Sequence, residues 1–331
     1  MRAVVLYEPG RAEVIDRADP VPGRGDVIVE VSGAGLCGTD VHIFEGLFPP
    51  TPYPIVPGHE FAGRVVAVGA EVDGLDEGEF AAADCTLTCG RCRYCRSGRY
   101  NLCLGWGAIG DTVDGAFAEY VSVPAVNVFR WPEHLPESWT PLTEPLACVV
   151  RGAERLGSVA GISVLVVGGG VIGALAGKLM RASGATRVDL CERGEVRRTR
   201  AADWADTTFD DVARTDEASY EAVVDATGSI AAIEAGIARL APGGRYLLLG
   251  VAPADAVAGF SPYELFKREL TLLGSMSKRY SFQPALDLLH RGAIDLHSLV
   301  DQPLPLESYV DAVERVARGE GMKTVLAPDA G

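Results

Sequence analysis

The strongest indication of fold class is the sequence Val164-Leu165-Val166-Val167-Gly168-Gly169-Gly170-Val171-Ile172-Gly173. Its four unbroken apolar residues are typical of a strand that is buried on both faces of a parallel sheet. The glycines that follow form the pattern G-x-G-x-x-G, and an apolar helical run over 174–182 comes after them, ending near Gly184. A strand, a glycine turn and a helix in this order predict a doubly wound α/β unit whose turn contacts a pyrophosphate.

Each position of this glycine pattern has its own physical role. Gly168 permits the tight turn, Gly170 lets the backbone approach a pyrophosphate, and Gly173 lets the helix pack on the strand. Val171 and Ile172 open the helix, whose N-terminus faces the phosphates. The alternative is a glycine-rich structural turn, but the placement of the strand and the helix favours a binding site.

An acidic residue at the end of the next strand completes this pattern. Glu192 ends the strand-like run 187–192 and is expected to accept hydrogen bonds from ribose hydroxyls. A carboxylate there also repels a 2′-phosphate, so the sequence favours NAD as the cofactor. Arg193 follows directly, with Arg197 and Arg198 nearby, and these cations keep NADP as an alternative.

The rest of the sequence divides into two regions of different character. Residues 1–145 contain short strand-like runs, such as 27–31 and 63–68, which Gly and Pro interrupt. From 147 onward, helical stretches alternate with strands at 187–192, 222–226 and 245–251, as in a doubly wound parallel sheet. The segment 193–222 is short, which predicts that one helix of this region is trimmed or missing.

Four cysteines in the first region follow the spacing C-x2-C-x2-C-x7-C. Cysteines two residues apart let two thiolates reach one ion from a tight loop, and four sulfurs close a tetrahedral zinc shell. The alternative is a disulfide cluster of a secreted protein, which the charged, alternating first residues disfavour. The surrounding segment is polar, so a structural zinc is expected to supply its folding energy. The ligands are Cys89, Cys92, Cys95 and Cys103.

A second group of metal-binding residue types is spread over the same region. Cys37 and His59 offer a thiolate and an imidazole, which are common zinc ligands. Thr39 offers a hydroxyl two residues after Cys37, and His42 is placed to pass a proton onward. Asp40 is expected to accept a hydrogen bond from the second nitrogen of His59 and so to orient the ring.

The third ligand of this second group is expected to be a carboxylate. Glu144 lies just before the change in sequence character, in Thr143-Glu144-Pro145-Leu146. Glu60 is the competing carboxylate, and Cys148, one helical turn after Glu144, is a further alternative. Three protein ligands leave one coordination position for water or substrate, which is typical of a catalytic zinc site.

Composition and charge exclude several classes of partner. The net charge of −15 and the pI of about 4.8 argue against binding to nucleic acids or to anionic membranes. The longest apolar run, 164–177, is too short and too rich in glycine to span a bilayer. Eight cysteines without a secretion signal predict a reducing, cytoplasmic location. We therefore expect neither a nucleic-acid partner nor a membrane partner.

Taken together, these motifs resemble the zinc-containing medium-chain dehydrogenase/reductase superfamily nearly from end to end. The similarity rests on both metal-binding groups, on the glycine pattern and on two further segments, Gly115-Ala116-Phe117-Ala118-Glu119-Tyr120 and Asp225-Ala226-Thr227-Gly228. Alcohol dehydrogenases proper usually carry a cysteine as the third ligand. The sequence Glu144-Pro145-Leu146 instead resembles the sorbitol, threonine and related polyol dehydrogenase branch, which oxidises secondary alcohols.

The resemblance implies an α/β protein with a GroES-like β-rich catalytic domain over residues 1–146 and 278–331. It also implies a doubly wound, parallel-sheet Rossmann domain over 147–277. By motif position, Cys37, His59 and Glu144 would bind the catalytic zinc. Glu60 would be a nearby or exchanging ligand, and Thr39 and His42 the proton relay. The cofactor-binding residues would be Gly168, Gly170, Val171, Ile172, Gly173, Glu192, Arg193, Thr227 and Gly250.

The implied activity is hydride transfer between a secondary alcohol and NAD, with one catalytic and one structural zinc in each subunit. A carboxylate ligand in place of a thiolate leaves a harder metal. This favours a substrate with a second oxygen, namely a polyol, sugar, cyclitol or amino alcohol. The alternatives are an NADPH-dependent aldehyde or ketone reductase and a non-enzymatic zinc-lobe protein. A homo-oligomer, either a dimer or a tetramer, is also expected.

Overall fold

Two units make up the chain in this computed structural model, which describes residues 1–48 and 50–330. Unit 1 comprises Met1–Glu144 and Leu299–Gly331, and unit 2 comprises Pro145–Ser298. Pro49 and Gly331, both inside the predicted catalytic domain, lie outside the described residues. The sequence-based boundaries were 146/147 and 277/278. The chain leaves unit 1 after Glu144 and returns to it at Leu299, and the sequence-based domain bounds stay a prediction.

Strands dominate the first 142 residues, and helices alternate with strands after them. The first part contains β1 (Arg2–Glu8), β2 (Arg11–Asp16), β3 (Asp26–Gly35), α1 (Gly38–Phe44), β4 (Glu60–Val68), β5 (Phe80–Ala83), β6 (Thr86–Leu87), α2 (Arg93–Arg96), β7 (Gly107–Ala108), β8 (Tyr120–Pro124) and β9 (Val128–Arg130). The second part contains α3 (Thr143–Leu156), β10 (Ser163–Val167), α4 (Val171–Ala182), β11 (Arg187–Cys191), α5 (Glu195–Arg200), β12 (Thr208–Phe209), β13 (Tyr220–Asp225), α6 (Ile230–Arg239), β14 (Leu240–Leu248), α7 (Pro262–Lys267), β15 (Thr271–Gly274), α8 (Phe282–His290), α9 (Tyr309–Ala317) and β16 (Val325–Leu326). Over the described residues, none of these helices is both long enough and apolar enough to cross a bilayer.

Unit 1 is organised around an antiparallel sheet with the order β16-β3-β4-β5-β9, and β8 also pairs with β3. Its core lies against α9, where the rings of Phe117 and Tyr309 pack with their centroids 5.5 Å apart. The register between β3 and β4 aligns Gly35 with Glu60. Residues that follow β3 therefore lie beside residues at the start of β4, which brings distant parts of the sequence together.

Unit 2 contains a parallel sheet with the order β12-β11-β10-β13-β14-β15. The predicted strand Val164–Val167 forms most of β10, and its residues are buried between neighbours on both sides, β11 and β13. The predicted strands at 187–192, 222–226 and 245–251 are present as β11, β13 and β14. The expected combination of a GroES-like domain with a parallel Rossmann sheet is thus confirmed.

The predicted loss of a helix falls between β12 and β13. Within the described residues, this connection contains only a short 3-10 turn, Val212–Arg214. Nearby, the indole of Trp204 packs directly onto Gly177 of α4, where an added Cβ would come within 2.2 Å of the ring. Trp204 is only 3% exposed. A large side chain therefore covers this part of α4, and the glycine at 177 makes room for it.

Candidate metal centres and nucleotide site

The cysteine lobe brings four sulfur atoms into one cluster. The Sγ atoms of Cys89, Cys92, Cys95 and Cys103 all lie within 4.8 Å of one another. Cys92 is the N-cap residue of α2 and Cys95 lies in its first turn, so the helix presents both sulfurs on one side. Backbone N–H groups of Cys95 and Leu104 lower the pKa of Cys92 to about 6, which favours its thiolate, whereas burial and the neighbouring sulfurs raise the pKa of Cys95 to about 12. Four sulfurs with no other ligand type fit a closed, structural zinc site.

The second cluster combines a thiolate, an imidazole and a carboxylate. Ligand atoms of Cys37, His59 and Glu60 lie within 4.8 Å of one another. Cys37 is the N-cap residue of α1, just after β3, while Glu60 begins β4. The pairing of Gly35 with Glu60 explains how the ends of these two strands assemble the cluster. This donor set fits zinc with an open coordination position.

Glu144 lies near this cluster but is not one of its three members. It is the second residue of α3 and is largely buried. Its charge raises the pKa of Glu60, so the two carboxylates lie close enough to interact. Among the described residues, Glu60 and not Glu144 completes the set of atoms within 4.8 Å. The assignment of Glu144 as the third ligand stays a prediction.

Glu60 is paired with a lysine that the sequence analysis did not single out. The buried ammonium of Lys323 contacts the carboxylate of Glu60 and donates to the carbonyl of Leu36 at 3.2 Å. Burial raises the pKa of Glu60, while the charge of Lys323 acts in the opposite direction. A Cβ on Gly35 would meet both side chains, at 2.4 Å from Glu60 and 2.9 Å from Lys323. In the sequence, Lys323 stands two residues before the short apolar strand β16 (Val325–Leu326), and nothing there marks it as the partner of Glu60.

Lys323→Met is expected to lower the free energy of unfolding by about 3–5 kcal/mol, because it leaves the Glu60 charge buried without its cation. Denaturant unfolding, monitored by tryptophan fluorescence with and without a chelator, measures the change. In the matched control, Glu60→Gln combined with Lys323→Met removes both charges and should recover most of the loss. A single variant as stable as the wild type would show that the pair contributes nothing.

The proposed proton relay lies on α1. The hydroxyl oxygen of Thr39 is 3.8 Å from the sulfur of Cys37. His42 follows one turn later, and its Nδ1 is buried without a hydrogen-bond partner in the described part of the chain. A buried nitrogen of this kind needs a partner, which a bound substrate, cofactor or water can supply. Thr39 therefore lies beside Cys37 of the second cluster, and the role of Thr39 and His42 as a proton relay stays a prediction.

His59 faces two carboxylates rather than the single one that was expected. Its Nδ1 lies 3.1 Å from Oδ1 of Asp111 and 3.6 Å from Oδ1 of Asp40. Burial opposes a charge on the ring, but Asp111 and Asp40 together raise the pKa of His59 well above its ordinary value. Asp111 was not identified from the sequence, where it stands among polar turn residues shortly before the Gly115–Tyr120 motif.

The glycine pattern of unit 2 has the geometry of a nucleotide-binding turn. Gly168 adopts φ +97, and Gly170 is the N-cap residue of α4, which Val171 and Ile172 begin. A Cβ on Gly173 would lie 1.8 Å from the carbonyl oxygen of Gly168. Only glycine at 173 therefore allows α4 to approach the turn that closely.

Glu192 is hydrogen-bonded within this turn. Its Oε2 accepts from the backbone of Gly169 at 2.7 Å, and its Oε1 accepts from Gly194 at 2.6 Å. A cavity of about 450 Å³ opens beside it. The predicted residues that line this cavity are Gly168, Gly170, Glu192, Arg193 and Thr227.

Other charged residues share the cavity with these predicted ones. Arg197, Asp210 and Asp211 also line it. Gly250, another predicted residue, packs on Thr227, because a Cβ there would come within 2.6 Å of the Thr227 nitrogen. The walls thus carry charges of both signs, with arginines that suit phosphates and carboxylates that suit hydroxyls.

Two comparisons by sequence and one by structure place these sites in a family. Residues 23–133 match the alcohol dehydrogenase GroES-like domain, and residues 171–291 match the zinc-binding dehydrogenase family. The chain is 32% identical to L-threonine 3-dehydrogenase of Pyrococcus horikoshii, over 98% of both chains. It is 29% identical to sorbitol dehydrogenase of Halalkalibacterium halodurans, over 99% of both.

The structural comparison agrees with these matches. A structure described as a zinc-binding dehydrogenase from Sinorhizobium meliloti 1021, bound to NADP, superposes with a TM-score of 0.95. That protein is 34% identical, and the comparison covers 99% of both chains. With its closed cysteine lobe, its open Cys37 cluster and its nucleotide-binding turn, this chain belongs to the zinc-containing medium-chain dehydrogenase/reductase superfamily and is a zinc-dependent, NAD(P)-dependent alcohol or polyol dehydrogenase.

Proposed function

We propose that the protein oxidises a secondary alcohol to a ketone with NAD, and that the substrate is a polyol, sugar, cyclitol or amino alcohol. The observation that carries this proposal is the carboxylate character of the open metal cluster. Cys37 is its only described cysteine ligand, while Glu60 completes the set and Glu144 lies close by. Hard oxygen ligands leave a harder metal, which favours a substrate that offers it a second oxygen.

In this reaction, separate residues of the chain transfer the proton and hold the metal. When bound, zinc supplies Lewis-acid polarisation of the alcohol oxygen, and NAD supplies the hydride acceptor. The hydroxyl of Thr39, beside Cys37, takes the proton of the alcohol. His42, one turn further along α1, receives it and releases it to solvent. Cys37, just after β3, and His59, just before β4, would hold the zinc.

A substrate screen tests this proposal. Polyols, cyclitols, amino alcohols and simple secondary alcohols are each incubated with NAD and with NADP, and the absorbance of the reduced nicotinamide is followed. We expect kcat/KM with NAD to be highest for substrates that carry a second oxygen or nitrogen next to the alcohol. A clear preference for simple secondary alcohols would contradict the chelation argument.

Cofactor preference depends on Glu192 in this proposal. Glu192→Ala should lower kcat/KM with NAD and raise kcat/KM with NADP relative to it. The change removes an acceptor for the ribose hydroxyls and a charge that repels a 2′-phosphate. The ratio of kcat/KM for the two cofactors measures the effect. Glu195→Ala, an exposed change in α5, is the matched control. An unchanged ratio in Glu192→Ala would assign the preference to Arg193 instead.

The second candidate is an NADPH-dependent aldehyde or ketone reductase. Arg193 and Arg197 line the nucleotide cavity and favour it, because guanidinium groups bind phosphates well. The same screen, run in reverse with aldehydes and ketones, separates the two candidates. The family of the chain excludes the third alternative, a non-enzymatic zinc-lobe protein.

A homo-oligomer, either a dimer or a tetramer, in the cytoplasm is also part of the proposal. Large apolar side chains are exposed near the edge strand β15, among them Phe266 at 81% and Tyr263 at 64%. Water contact over such side chains is unfavourable, so covering them by a second copy would stabilise an assembly. Light scattering coupled to size-exclusion chromatography gives the number of subunits.

A further inference from the structure

The nucleotide cavity of unit 2 extends beyond the predicted acceptor of the ribose. Its volume is about 450 Å³, and its lining continues from the glycine turn and Glu192 to the residues that follow β12. These residues are Asp210, Asp211 and Val212. Small side chains of α6 form a further part of the lining, namely Ala231, Ala232 and Ala235. Small apolar side chains leave room for a flat ring, and the two carboxylates are acceptors for its edge.

The strand order indicates which end of the cavity receives the adenine base. β12, β11 and β10 are neighbours in this order in the parallel sheet. In a doubly wound fold, the pyrophosphate binds at the glycine turn, here after β10, and the ribose binds at the acidic residue after the next strand, here Glu192. The backbone N–H of Glu192 donates to the carbonyl of Phe209 at 2.9 Å, so the ends of β11 and β12 are adjacent. We therefore expect the base in the part of the cavity that the residues after Phe209 line.

The short connection between β12 and β13 fixes the position of Asp211. This residue is the N-cap of the 3-10 turn Val212–Arg214, and its Oδ1 accepts from the backbone N–H of Ala213 at 2.8 Å. Its Oδ2 is the acceptor that remains for a ligand. The neighbouring Asp210 is engaged differently, because its carboxylate forms an ion pair with Arg214 at 3.1 Å. Of the two aspartates, Asp211 therefore has the more available oxygen.

Asp211 also lies close to a buried residue of the cavity lining, Cys191. Cys191 is the last residue of β11 and is 5% exposed. Burial raises the pKa of its thiol to about 12, and among the neighbouring charges that of Asp211 contributes most to this rise, followed by that of Glu192. The carboxylates of Asp211 and Glu192 thus both lie near the end of β11, where the ribose and the base are expected.

We propose that Asp211 determines the base specificity of the dinucleotide site by accepting a hydrogen bond from the 6-amino group of adenine. An ionised carboxylate is only an acceptor, so it suits the amino group of adenine and not the 6-carbonyl oxygen of hypoxanthine. The inference rests on the dinucleotide cofactor of the proposed function and not on the alcohol that is oxidised. Its test therefore measures binding without turnover.

Binding of NADH and of its hypoxanthine analogue tests the proposal. The analogue carries a carbonyl group in place of the 6-amino group, and the fluorescence of the reduced nicotinamide reports the binding of both cofactors. We expect the wild-type enzyme to bind NADH about fivefold to tenfold more tightly than the analogue, which corresponds to one hydrogen bond at an exposed site. Equal Kd values would overturn the proposal.

Asp211→Asn reverses the hydrogen-bonding character of this position. The amide oxygen of the variant can still accept from Ala213, which leaves the amide N–H₂ as a donor where the wild type has an acceptor. The variant should bind the hypoxanthine analogue at least as tightly as NADH, so that the ratio of the two Kd values changes about fivefold or more. An unchanged ratio in a variant that keeps the Tm of the wild type would refute the role of Asp211.

Asp210→Asn is the matched control, because it removes the same charge from the same cavity. The loss of a negative charge should change the affinity for both cofactors alike and leave their ratio as in the wild type. A changed ratio in Asp210→Asn alone would assign the contact to Asp210 and overturn the proposal. If the enzyme binds only NADPH, the proposed preference for NAD fails, and the same comparison with NADPH and its hypoxanthine analogue still tests Asp211.

Discussion

Glu144→Ala is expected to release or loosen the zinc of the Cys37 cluster and to reduce kcat/KM by orders of magnitude. The lobe zinc should stay, because its four sulfur ligands are separate from this cluster. The physical reason is that a misplaced Lewis acid no longer polarises the alcohol. Zinc content by atomic spectroscopy and the rate of NADH formation measure the two effects together.

Glu60→Ala is the comparison variant for Glu144. If Glu60 is only a nearby or exchanging ligand, this change should be milder than Glu144→Ala. The structure makes the test decisive, because Glu60 belongs to the three-residue cluster and is paired with Lys323. Should Glu60→Ala empty the site while Glu144→Ala leaves it full, the two carboxylates exchange roles and the substrate argument based on Glu144 fails.

Glu144→Cys tests the chelation argument itself. A cysteine at this position can hold the metal but adds thiolate charge and removes a hard oxygen ligand. Activity on polyols should therefore fall more than activity on simple secondary alcohols. Equal losses on both substrate classes would indicate that the carboxylate does not select the substrate.

Cys95→Ser is expected to release the lobe zinc and to destabilise the protein strongly. The lobe has few apolar side chains, so metal binding is a large part of its folding free energy. Structural zinc sites of this type contribute on the order of 10 kcal/mol. Thermal unfolding together with a zinc count for each subunit gives the result.

Cys148→Ser is the matched control for the lobe. Cys148 is a partly buried cysteine outside both clusters of described residues, although it was a minor candidate for the third ligand. This variant should keep both zinc ions and the Tm of the wild type. If Cys95→Ser also kept both, the structural role of the lobe would be wrong. If Cys148→Ser lost the catalytic zinc, Cys148 would replace Glu144 as the third ligand.

The features that could be predicted from the sequence depend on short stretches of chain. The four lobe cysteines lie within one loop, so their spacing alone brings the sulfurs together. The turn from Gly168 to Gly173 requires glycine, because a Cβ at Gly173 would collide with the backbone of Gly168. Such a glycine pattern between a strand and a helix can be recognised from neighbouring residues alone. Short continuous apolar runs likewise predicted β10 and the neighbouring strands, because strands that are buried on both faces of a parallel sheet are apolar along their length.

The missed contacts join residues that are far apart in the sequence. Glu60 and Lys323 are separated by 263 positions and meet only because β16 pairs with the end of β3. Asp111 reaches His59 only because its loop is bonded to the backbone at Gly58. No local pattern marks such a charged residue as a partner, since an isolated Asp or Lys is most often solvated.

By itself, the sequence determined the family, the four-cysteine zinc lobe, the Cys37 and His59 part of the second site and the nucleotide-binding turn, because each of these depends on residue types at short or motif-defined spacing. The tertiary structure decided which carboxylate lies within the Cys37 and His59 cluster and which lysine pairs with it, and it brought a second aspartate, Asp111, to the histidine ring beside Asp40. These contacts join buried groups that lie far apart in the sequence. Strand register and loop packing set these contacts, and neither can be read from the neighbouring residues.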